Sequence, residues 1–389
     1  MNPLSDAEVQ EIRREFPALE RLTYFTTNGL GILPRRSVEA LTRRIAELSE
    51  SAIVSALFGN PPLVEETRRR AARLLGCAAE EVAFCRNTSE GVLWAAGSLP
   101  LAPGDEVLLV QGEYPANVLP WMAREARGVT WRLLRKRGRR ITPDMVSEQW
   151  GERTRLLAVS FVQWDSGFRA DLAGLARVVH ARGGLLFCDA IQGLGALHLD
   201  VSESGVDLLA AGTHKWLLGL QGLGLFYCRR DLLRELAPLH VAGGSLASDA
   251  DREDAGSPYD RHFADEARRF EEGTRNYLGM AALAQSLALL EEIGIERIEA
   301  RIHGLTDQLV AGVEKRGGRV ESPRGPGEWS GIVLFAPPGG ALPASEIARA
   351  MHAKQIAINA REGCLHAGLH FYNTVAEIDR LLAALDESV

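Results

Sequence analysis

The 389-residue sequence is poor in cysteine and in net basic charge. Its five cysteines are scattered, odd in number and form no Cys-x-x-Cys pair, which argues against a disulfide framework and a structural zinc site. Acidic residues outnumber basic ones by 51 to 44, and the resulting charge of −7 disfavours a nucleic-acid binder. No apolar run approaches the roughly 18 residues of a membrane span, and the N-terminus lacks the order of a secretory signal. We therefore expect a cytoplasmic protein with neither nucleic-acid nor membrane partners.

Lysine is scarce, so chemistry that needs a primary amine has few candidates. The 44 basic residues include only four lysines, namely Lys136, Lys215, Lys315 and Lys354. Lys215 stands among glycines and apolar residues, whereas the other three lie in polar segments. A lysine that snorkels from a loop is the ordinary interpretation of Lys215. The functional interpretation is a partly buried amine with a lowered pKa, suited to a Schiff base.

Apolar strands alternate with amphipathic helices through the middle of the chain, a pattern typical of βαβ units around a buried, mostly parallel sheet. The predicted strands are Glu81–Cys85, Glu106–Val110, Thr130–Leu134, Leu156–Val162, Leu185–Cys188, Leu208–Ala211 and Leu223–Cys228. The polar segment 248–261 is predicted to be an exposed loop, and the apolar helix Met280–Ile293 follows it. We expect a large domain over residues 21–280, a smaller α+β domain over 281–389, and an N-terminal segment, 1–20, that packs with the small domain.

Two segments place polar groups directly after predicted strands. Asp189 follows one strand, and open α/β sheets bind ligands beyond the carboxyl ends of their strands. A carboxylate there suits the protonated ring nitrogen of pyridoxal phosphate (PLP), although a helix N-cap is the structural alternative. Thr88 and Ser89 follow another strand and open a helix, where hydroxyl and backbone N–H groups hold a phosphate or merely cap the helix.

Seven short motifs, in their order and spacing, resemble the class V aminotransferase family of PLP-dependent enzymes, of fold type I. This family contains cysteine desulfurases, selenocysteine lyases and isopenicillin-N-epimerase-like proteins. The motifs are Arg86–Gly91, Glu113–Asn117 with Pro120 and Trp121, Ser160–Gln163 with Gly167, Asp189–Gln192, Thr213–Trp216, Phe270–Asn276 and Phe371–Thr374. The resemblance covers nearly the whole chain. It implies an α/β fold in which a large PLP-binding domain holds a mostly parallel seven-stranded sheet, followed by a smaller α+β C-terminal domain.

The resemblance implies a role for each residue around the cofactor ring. Lys215 is expected to form the Schiff base with pyridoxal 5'-phosphate, and Asp189 to pair with the pyridinium nitrogen. Gln192 is expected to donate toward the phenolate oxygen of the ring. Tyr114 stands where relatives often have a histidine. Its ring can stack on the cofactor but cannot act as an imidazole acid or base.

The phosphate contacts implied by the resemblance come from both subunits of a dimer. Thr88, Ser89 and His214 are expected to hold the phosphate within one subunit. Thr274 corresponds to the residue that reaches the phosphate of the neighbouring subunit. We therefore expect a homodimer with shared active sites and an amino acid as the small-molecule substrate.

Two positions depart from the family pattern. Trp164 stands where many desulfurases have an asparagine, and Gln163 is expected to replace it as a polar cofactor contact. His366 stands where many relatives place the arginine that binds the substrate α-carboxylate. Because an imidazole cannot form the bidentate fork of an arginine, Arg361 or Arg275 is expected to take over, unless the substrate is unusual there. The predicted substrate-binding residues are Asn28, Arg275, Arg361 and His366.

The reaction type stays open on the sequence. Desulfurases carry a nucleophilic cysteine on a mobile loop, and Cys364 aligns poorly with it; free cysteines are more often small buried residues. The pattern favours β-elimination by a C–S lyase that acts on cysteine or a cysteine conjugate through Lys215. An aminotransferase or an epimerase of the same family are the alternatives, and a non-catalytic PLP-fold binding protein is the alternative from another class. The complete set of predicted cofactor residues argues against that last alternative.

Overall fold

The structure is a computed structural model that describes residues 4–247, 263–339 and 342–387. The predicted exposed loop 248–261 lies outside the described residues. Within the described ranges the chain forms one large sheet and two small ones, each packed against helices.

The central sheet has seven strands in the spatial order β2-β8-β7-β6-β5-β3-β4. These strands are β2 (Val82–Cys85), β3 (Glu106–Val110), β4 (Thr130–Leu134), β5 (Thr154–Ser160), β6 (Leu185–Asp189), β7 (Leu208–Gly212) and β8 (Gly224–Cys228). Strand β8 runs antiparallel to both of its neighbours, and the other adjacent pairs are parallel. Strands β2, β7 and β8 are buried along their whole length, and β3, β5 and β6 are buried at all but one residue, which explains their mostly apolar sequences. The predicted mostly parallel sheet is confirmed.

Helices cover both faces of the central sheet. In the described part they are α1 (Asp6–Arg13), α2 (Arg35–Leu75), α3 (Thr88–Ser98), α4 (Leu119–Met122), α5 (Pro143–Gln149), α6 (Leu172–His180), α7 (Val201–Ser204), α8 (Arg230–Leu233), α9 (Tyr277–Ile293), α10 (Ile295–Lys315), α11 (Ala344–Ala353) and α12 (Val375–Asp386). Among these residues no single helix has the length and apolar composition to cross a membrane. Helices α9 and α10 are long and apolar enough only when taken together, and the chain bends by 77° between them.

The C-terminal part contains a four-stranded antiparallel sheet in the order β12-β13-β10-β9. Its strands are β9 (Arg319–Val320), β10 (Ile332–Ala336), β12 (Asn359–Arg361) and β13 (Cys364–Gly368), and a separate parallel pair joins β1 (Thr23–Tyr24) to β11 (Ile356–Ala357). Apolar side chains of this sheet pack with those of α10, α11 and α12 in a core of their own. This arrangement is the predicted α+β architecture.

The N-terminal helix α1 contacts the C-terminal part of the chain. Arg13 donates to the backbone oxygen of Tyr372 at 2.6 Å and forms an ion pair with Glu377 at 3.1 Å. Asp6 forms an ion pair with Arg301 of α10 at 3.0 Å. The division into segments 1–20, 21–280 and 281–389 stays a prediction, and its second boundary falls within the continuous helix α9.

Candidate active site

A cavity of about 510 Å³ lies where the carboxyl ends of β3, β5 and β6 approach the β12–β13 hairpin. The strand order of the sheet reverses between β3 and β5, and open α/β sheets bind ligands in the crevice at such a reversal. Ten of the predicted site residues line this cavity: Asn28, Thr88, Ser89, Tyr114, Asp189, Gln192, His214, Lys215, Arg361 and His366. Tertiary folding thus brings together side chains from four of the seven motifs and three residues from outside them, Asn28, Arg361 and His366.

Lys215 follows β7 and presents a largely buried amine at the cavity. Burial lowers the pKa of this amine, the nearby Arg361 lowers it further, and the carboxylate of Asp189 opposes both effects. The Lys215 Nζ atom lies 6.0 Å from the centre of the Tyr114 ring. Close passage of another loop holds this segment in place, because the Gly31 N–H donates to the His214 oxygen at 2.8 Å. A Cβ atom on Gly31 would lie only 2.0 Å from the Lys215 carbonyl oxygen, so this contact requires glycine.

Asp189 ends β6 with a carboxylate that is 2% exposed. Its Oδ1 atom accepts a hydrogen bond from the Ile191 N–H at 3.0 Å. Burial raises the pKa of Asp189 to about 7, and the carboxylate of Glu113 adds to the shift. No cation forms an ion pair with Asp189 within the described ranges. Because a buried carboxylate is costly without a cationic partner, this position fits the protonated ring nitrogen of PLP.

Helix α3 directs its N-terminus toward the same cavity. Asn87 caps the helix by accepting a hydrogen bond from the Glu90 N–H at 2.9 Å, and Thr88 Oγ1 accepts one from the Gly212 N–H at 2.9 Å. Across the described residues, the backbone N–H groups of Thr88 and Ser89 have no hydrogen-bond acceptor. Free N–H groups at the positive end of a helix dipole form an anion site, so this end of the cavity fits a phosphate.

His214 lines the same cavity beside Lys215. Its imidazole is about half-buried, and burial together with the charge of Lys215 lowers its pKa. A neutral imidazole still donates one hydrogen bond. His214 therefore remains suited to a phosphate contact without adding a second cation beside Lys215.

A hydrogen-bonded set of polar side chains forms another wall of the cavity. Gln192 donates through Nε2 to the Asn28 backbone oxygen and accepts through Oε1 from Trp216, both at 3.0 Å. The Asn28 side chain in turn meets His366 Nδ1 at 3.1 Å. Burial lowers the pKa of His366 to about 4, with further contributions from Arg361 and Lys215. His366 is therefore neutral at physiological pH and cannot replace an arginine as a cation.

The structure places Gln163 outside the cavity. This side chain is completely buried and donates to Glu113 Oε1 at 2.7 Å, while its own oxygen accepts from Lys136 at 3.4 Å. Its neighbour Trp164 lines the cavity instead. Gln163 therefore packs among polar partners behind the cavity wall, whereas Trp164 forms part of that wall.

Arg275 and Thr274 also lie away from the cavity, in a separate pocket. Arg275 forms an ion pair with the buried carboxylate of Glu271, which Arg68 also contacts at 2.8 Å. Arg275 is therefore occupied in a structural ion network and does not face the predicted substrate position within its own subunit. Thr274 is exposed at the protein surface, as a contact to a second subunit requires.

Arg361 extends from β12 and lines the cavity together with Asn359 and His366. Asn359 and His366 are directly opposite in the β12–β13 register, so their side chains share one face of the hairpin with Arg361. The Arg361 guanidinium lies 3.8 Å from the centre of the Trp164 ring. No carboxylate pairs with this guanidinium in the described part of the chain.

Sequence reasoning did not assign three residues that the structure brings to this site. Ser160 and Asn359 line the cavity, and Glu113 lies buried behind it with its carboxylate bonded to Ser160. Ser160 and Glu113 fall within the recognised motifs, so their presence near the site could have been predicted from those motifs. Asn359 stands in an ordinary strand sequence, and nothing in that sequence indicates a site residue.

Comparison with known proteins identifies the family. The model of the family described as "Aminotransferase class-V" matches residues 60–381. A probable cysteine desulfurase of Methanothermobacter thermautotrophicus is 30% identical, over 97% of each chain. A structure of a C-DES mutant with glycine covalently linked to its PLP cofactor has a TM-score of 0.89 at 26% identity, covering 97% of this chain and 99% of the other. The complex of the cystine C–S lyase C-DES with its product cysteine persulfide has a TM-score of 0.87 at 26% identity, covering 96% and 99%.

The fold and the cavity together define a fold type I enzyme of the PLP-dependent class. The chain belongs to the class-V aminotransferase family, and the predicted family and fold are confirmed.

Proposed function

We propose that this protein is a PLP-dependent C–S lyase that catalyses β-elimination on cysteine or a cysteine conjugate. One observation carries the cofactor part of the proposal. The cavity holds a buried carboxylate without a cationic partner, Asp189, together with a buried amine of lowered pKa, Lys215. The structural likeness to C-DES, itself a cystine C–S lyase, supports the reaction type.

The proposed roles follow from where each side chain lies. Bound PLP supplies an electron sink for the negative charge that develops at the substrate Cα. Lys215 would carry the amine that links the cofactor and, once free, would move the proton at Cα, since burial lowers the pKa of this amine and so favours its neutral, basic form. Asp189 holds a proton on the ring nitrogen. Gln192 donates to the ring oxygen, and the Tyr114 ring stacks on the cofactor.

The remaining proposed contacts hold the two ends of the bound molecules. Thr88, Ser89 and His214 bind the phosphate at the N-terminus of α3. Arg361 receives the substrate carboxylate, because its guanidinium lines the cavity and meets no carboxylate in the described ranges. Charge-assisted contacts of this kind are the strong ones, and the planar guanidinium fits a carboxylate with two parallel hydrogen bonds.

The positions of the cysteines favour elimination over persulfide transfer. None of the five cysteines is among the cavity-lining residues. Cys364 is buried in β13, and burial raises the pKa of its thiol. Because the thiolate is the nucleophile, this thiol is poorly suited to attack a substrate sulfur.

We further propose that the enzyme is a cytoplasmic homodimer. Thr274 is exposed beside the buried Glu271–Arg275 ion pair, in a position open to a second subunit. The five cysteines are all unpaired, as a reducing compartment requires. Sedimentation of the purified holoenzyme tests the dimer, and a monomer that retains full activity would contradict shared active sites.

A product assay on the holoenzyme tests the reaction type. Elimination from cysteine consumes one water and yields pyruvate, ammonia and hydrogen sulfide in equal amounts, and cystine yields pyruvate, ammonia and cysteine persulfide. We expect these products from the wild type and from Cys364→Ser, and none from Lys215→Ala. Alanine formation that Cys364→Ser abolishes would instead show a desulfurase. Amino transfer to a 2-oxo acid, or loss of stereochemistry without cleavage, would show the alternative reactions.

A further inference from the structure

Two aromatic side chains, Tyr114 and Trp164, and the guanidinium of Arg361 form one wall of the cavity. Trp164 meets the Tyr114 ring edge-on, with 5.4 Å between ring centres and 78° between ring planes. The Arg361 guanidinium lies 3.8 Å from the centre of the Trp164 ring. All three side chains line the cavity. The wall therefore runs continuously from the residue beside Lys215 to the proposed carboxylate-binding arginine.

Trp164 is itself held in place from two directions. Its indole N–H donates to the Gly112 backbone oxygen at 3.0 Å. The preceding residue, Gln163, is anchored to the buried carboxylate of Glu113 at 2.7 Å. The indole is thus attached both to the turn after β3 and to the end of β5, so its face has a fixed position relative to the sheet.

The acidic groups near Arg361 are already paired with other cations. Asp165 contacts Lys136 at 3.2 Å and Arg139 at 3.9 Å, and Glu362 contacts Arg139 at 3.6 Å. Throughout the described ranges, Arg361 itself has no ion pair. An arginine side chain with several rotatable bonds and no partner samples many rotamers, so the stacking contact with Trp164 is what restricts it.

We propose that Trp164 is a positioning residue, which holds Arg361 against the cavity wall so that its N–H fork is ready for the substrate carboxylate. The proposal rests on the proposed function, since it assigns the carboxylate contact to Arg361. Stacking of a guanidinium on an indole face leaves its in-plane N–H groups free to bind an anion. Trp164 thereby acquires a role in substrate affinity without contacting the substrate carboxylate itself.

Three variants of Trp164 separate its aromatic face from its hydrogen bond. Trp164→Phe keeps an aromatic face and loses the N–H, Trp164→Leu keeps an apolar side chain without an aromatic face, and Trp164→Asn keeps an N–H donor without one. The PLP content and cofactor absorbance of each holoenzyme check that the site has formed. Substitution of Trp329, which stacks on His303 away from the cavity, by phenylalanine is the matched control.

The main readout is the dissociation constant of glycine, obtained from the change in cofactor absorbance as glycine is added. This measurement needs no turnover. We expect Trp164→Leu and Trp164→Asn to weaken glycine binding about tenfold and to raise KM for cysteine similarly, with kcat within about twofold. Trp164→Phe should retain most of the affinity. Glycine methyl ester, which lacks the anionic carboxylate, should bind all variants alike.

A double-mutant cycle is the decisive test. If Trp164 acts through Arg361, its substitution has no effect on glycine affinity once Arg361 is removed. Trp164→Leu combined with Arg361→Ala should bind glycine as Arg361→Ala does alone. Additive effects, an equal loss for the ester, or normal glycine binding by Trp164→Leu would overturn the positioning role. Absence of C–S cleavage in an enzyme with the expected glycine-binding pattern would refute the proposed function and leave this inference standing.

Discussion

Glu113 accepts hydrogen bonds from both the backbone N–H and the hydroxyl of Ser160, each at 2.7 Å. Its carboxylate is buried and also accepts from Gln163 at 2.7 Å and from the Tyr114 N–H at 3.1 Å. Burial raises the pKa of Glu113, and these four donors oppose that shift. One carboxylate therefore ties the end of β3 to the end of β5, directly behind the cavity wall.

Glu113→Gln tests this connection. An amide supplies only one acceptor oxygen where the carboxylate has two, so its NH₂ group faces donors and leaves them unsatisfied. We expect the fold to form with a free energy of unfolding lower by about 1–3 kcal/mol. Urea unfolding followed by circular dichroism measures the change. Glu80→Gln, at an exposed position, should change stability by less than about 0.5 kcal/mol, and a similar result for both variants would contradict the connection.

Borohydride reduction tests the assignment of the cofactor-linking amine. We expect reduction of the holoenzyme to fix PLP covalently on Lys215, because this is the lysine whose buried amine lines the cavity. Peptide mapping by mass spectrometry locates the label among only four lysines. Lys215→Ala should show no covalent label. A label on Lys136, which is paired with Asp165 nearby, would refute the assignment.

Asp189→Asn separates a catalytic role from a structural one. An amide cannot keep the ring nitrogen protonated, so we expect kcat to fall on the order of 10³-fold, which is about 4 kcal/mol of transition-state stabilisation. Steady-state kinetics of the holoenzyme measure the loss. Asp171→Asn is the matched control because Asp171 caps α6. Because asparagine caps a helix about as well as aspartate, this control should change stability by less than about 0.5 kcal/mol and leave kcat unchanged. The same pattern for Asp189→Asn would identify a helix cap.

Arg361→Ala and Arg275→Ala distinguish the two candidate carboxylate contacts. Removal of Arg361 should raise KM for amino-acid substrates by roughly tenfold or more, as expected for about 1.5–3 kcal/mol of lost charged hydrogen bonding. Removal of Arg275 should instead lower stability, because Glu271 loses one of its two cations. Kinetics and thermal unfolding of both variants give the answer. A higher KM in Arg275→Ala alone would reverse the assignment.

The lowered pKa of His366 predicts how the stability of the protein depends on pH. Its pKa is lowered from 6.5 to about 4, so the unfolded chain binds this proton more readily than the folded protein. The contribution of His366 to stability is therefore complete above pH 6.5 and is lost as the pH falls toward 4, by up to about 1.4 kcal/mol per pH unit. His366→Gln cannot ionise and should lose stability less steeply over this range. Urea midpoints at several pH values measure the slope, and an unchanged slope in His366→Gln would contradict the prediction.

Local patterns in the sequence were sufficient to predict the central strands and the main residues of the candidate site. Most strands of the central sheet were readable because both of their faces are buried, which demands continuous apolar runs; the edge strand β4 is the exception. Lys215 and Asp189 were readable because a lysine among glycines and a carboxylate directly after a strand are unusual in themselves. The same motifs placed the chain in its family and predicted the sheet.

Only the tertiary structure decided which arginine is available to a substrate. Arg361 and Arg275 are both ordinary arginines in the sequence, and the difference between them is their surroundings. Folding brings Arg275 to the carboxylate of Glu271 and brings Arg361 to the ring of Trp164, nearly two hundred residues away in the chain. Arg275 and Glu271 are only four residues apart, but the burial of Glu271 against Arg68 and the contact of Arg361 with Trp164 each join segments about two hundred residues apart. No local pattern in the sequence records such contacts.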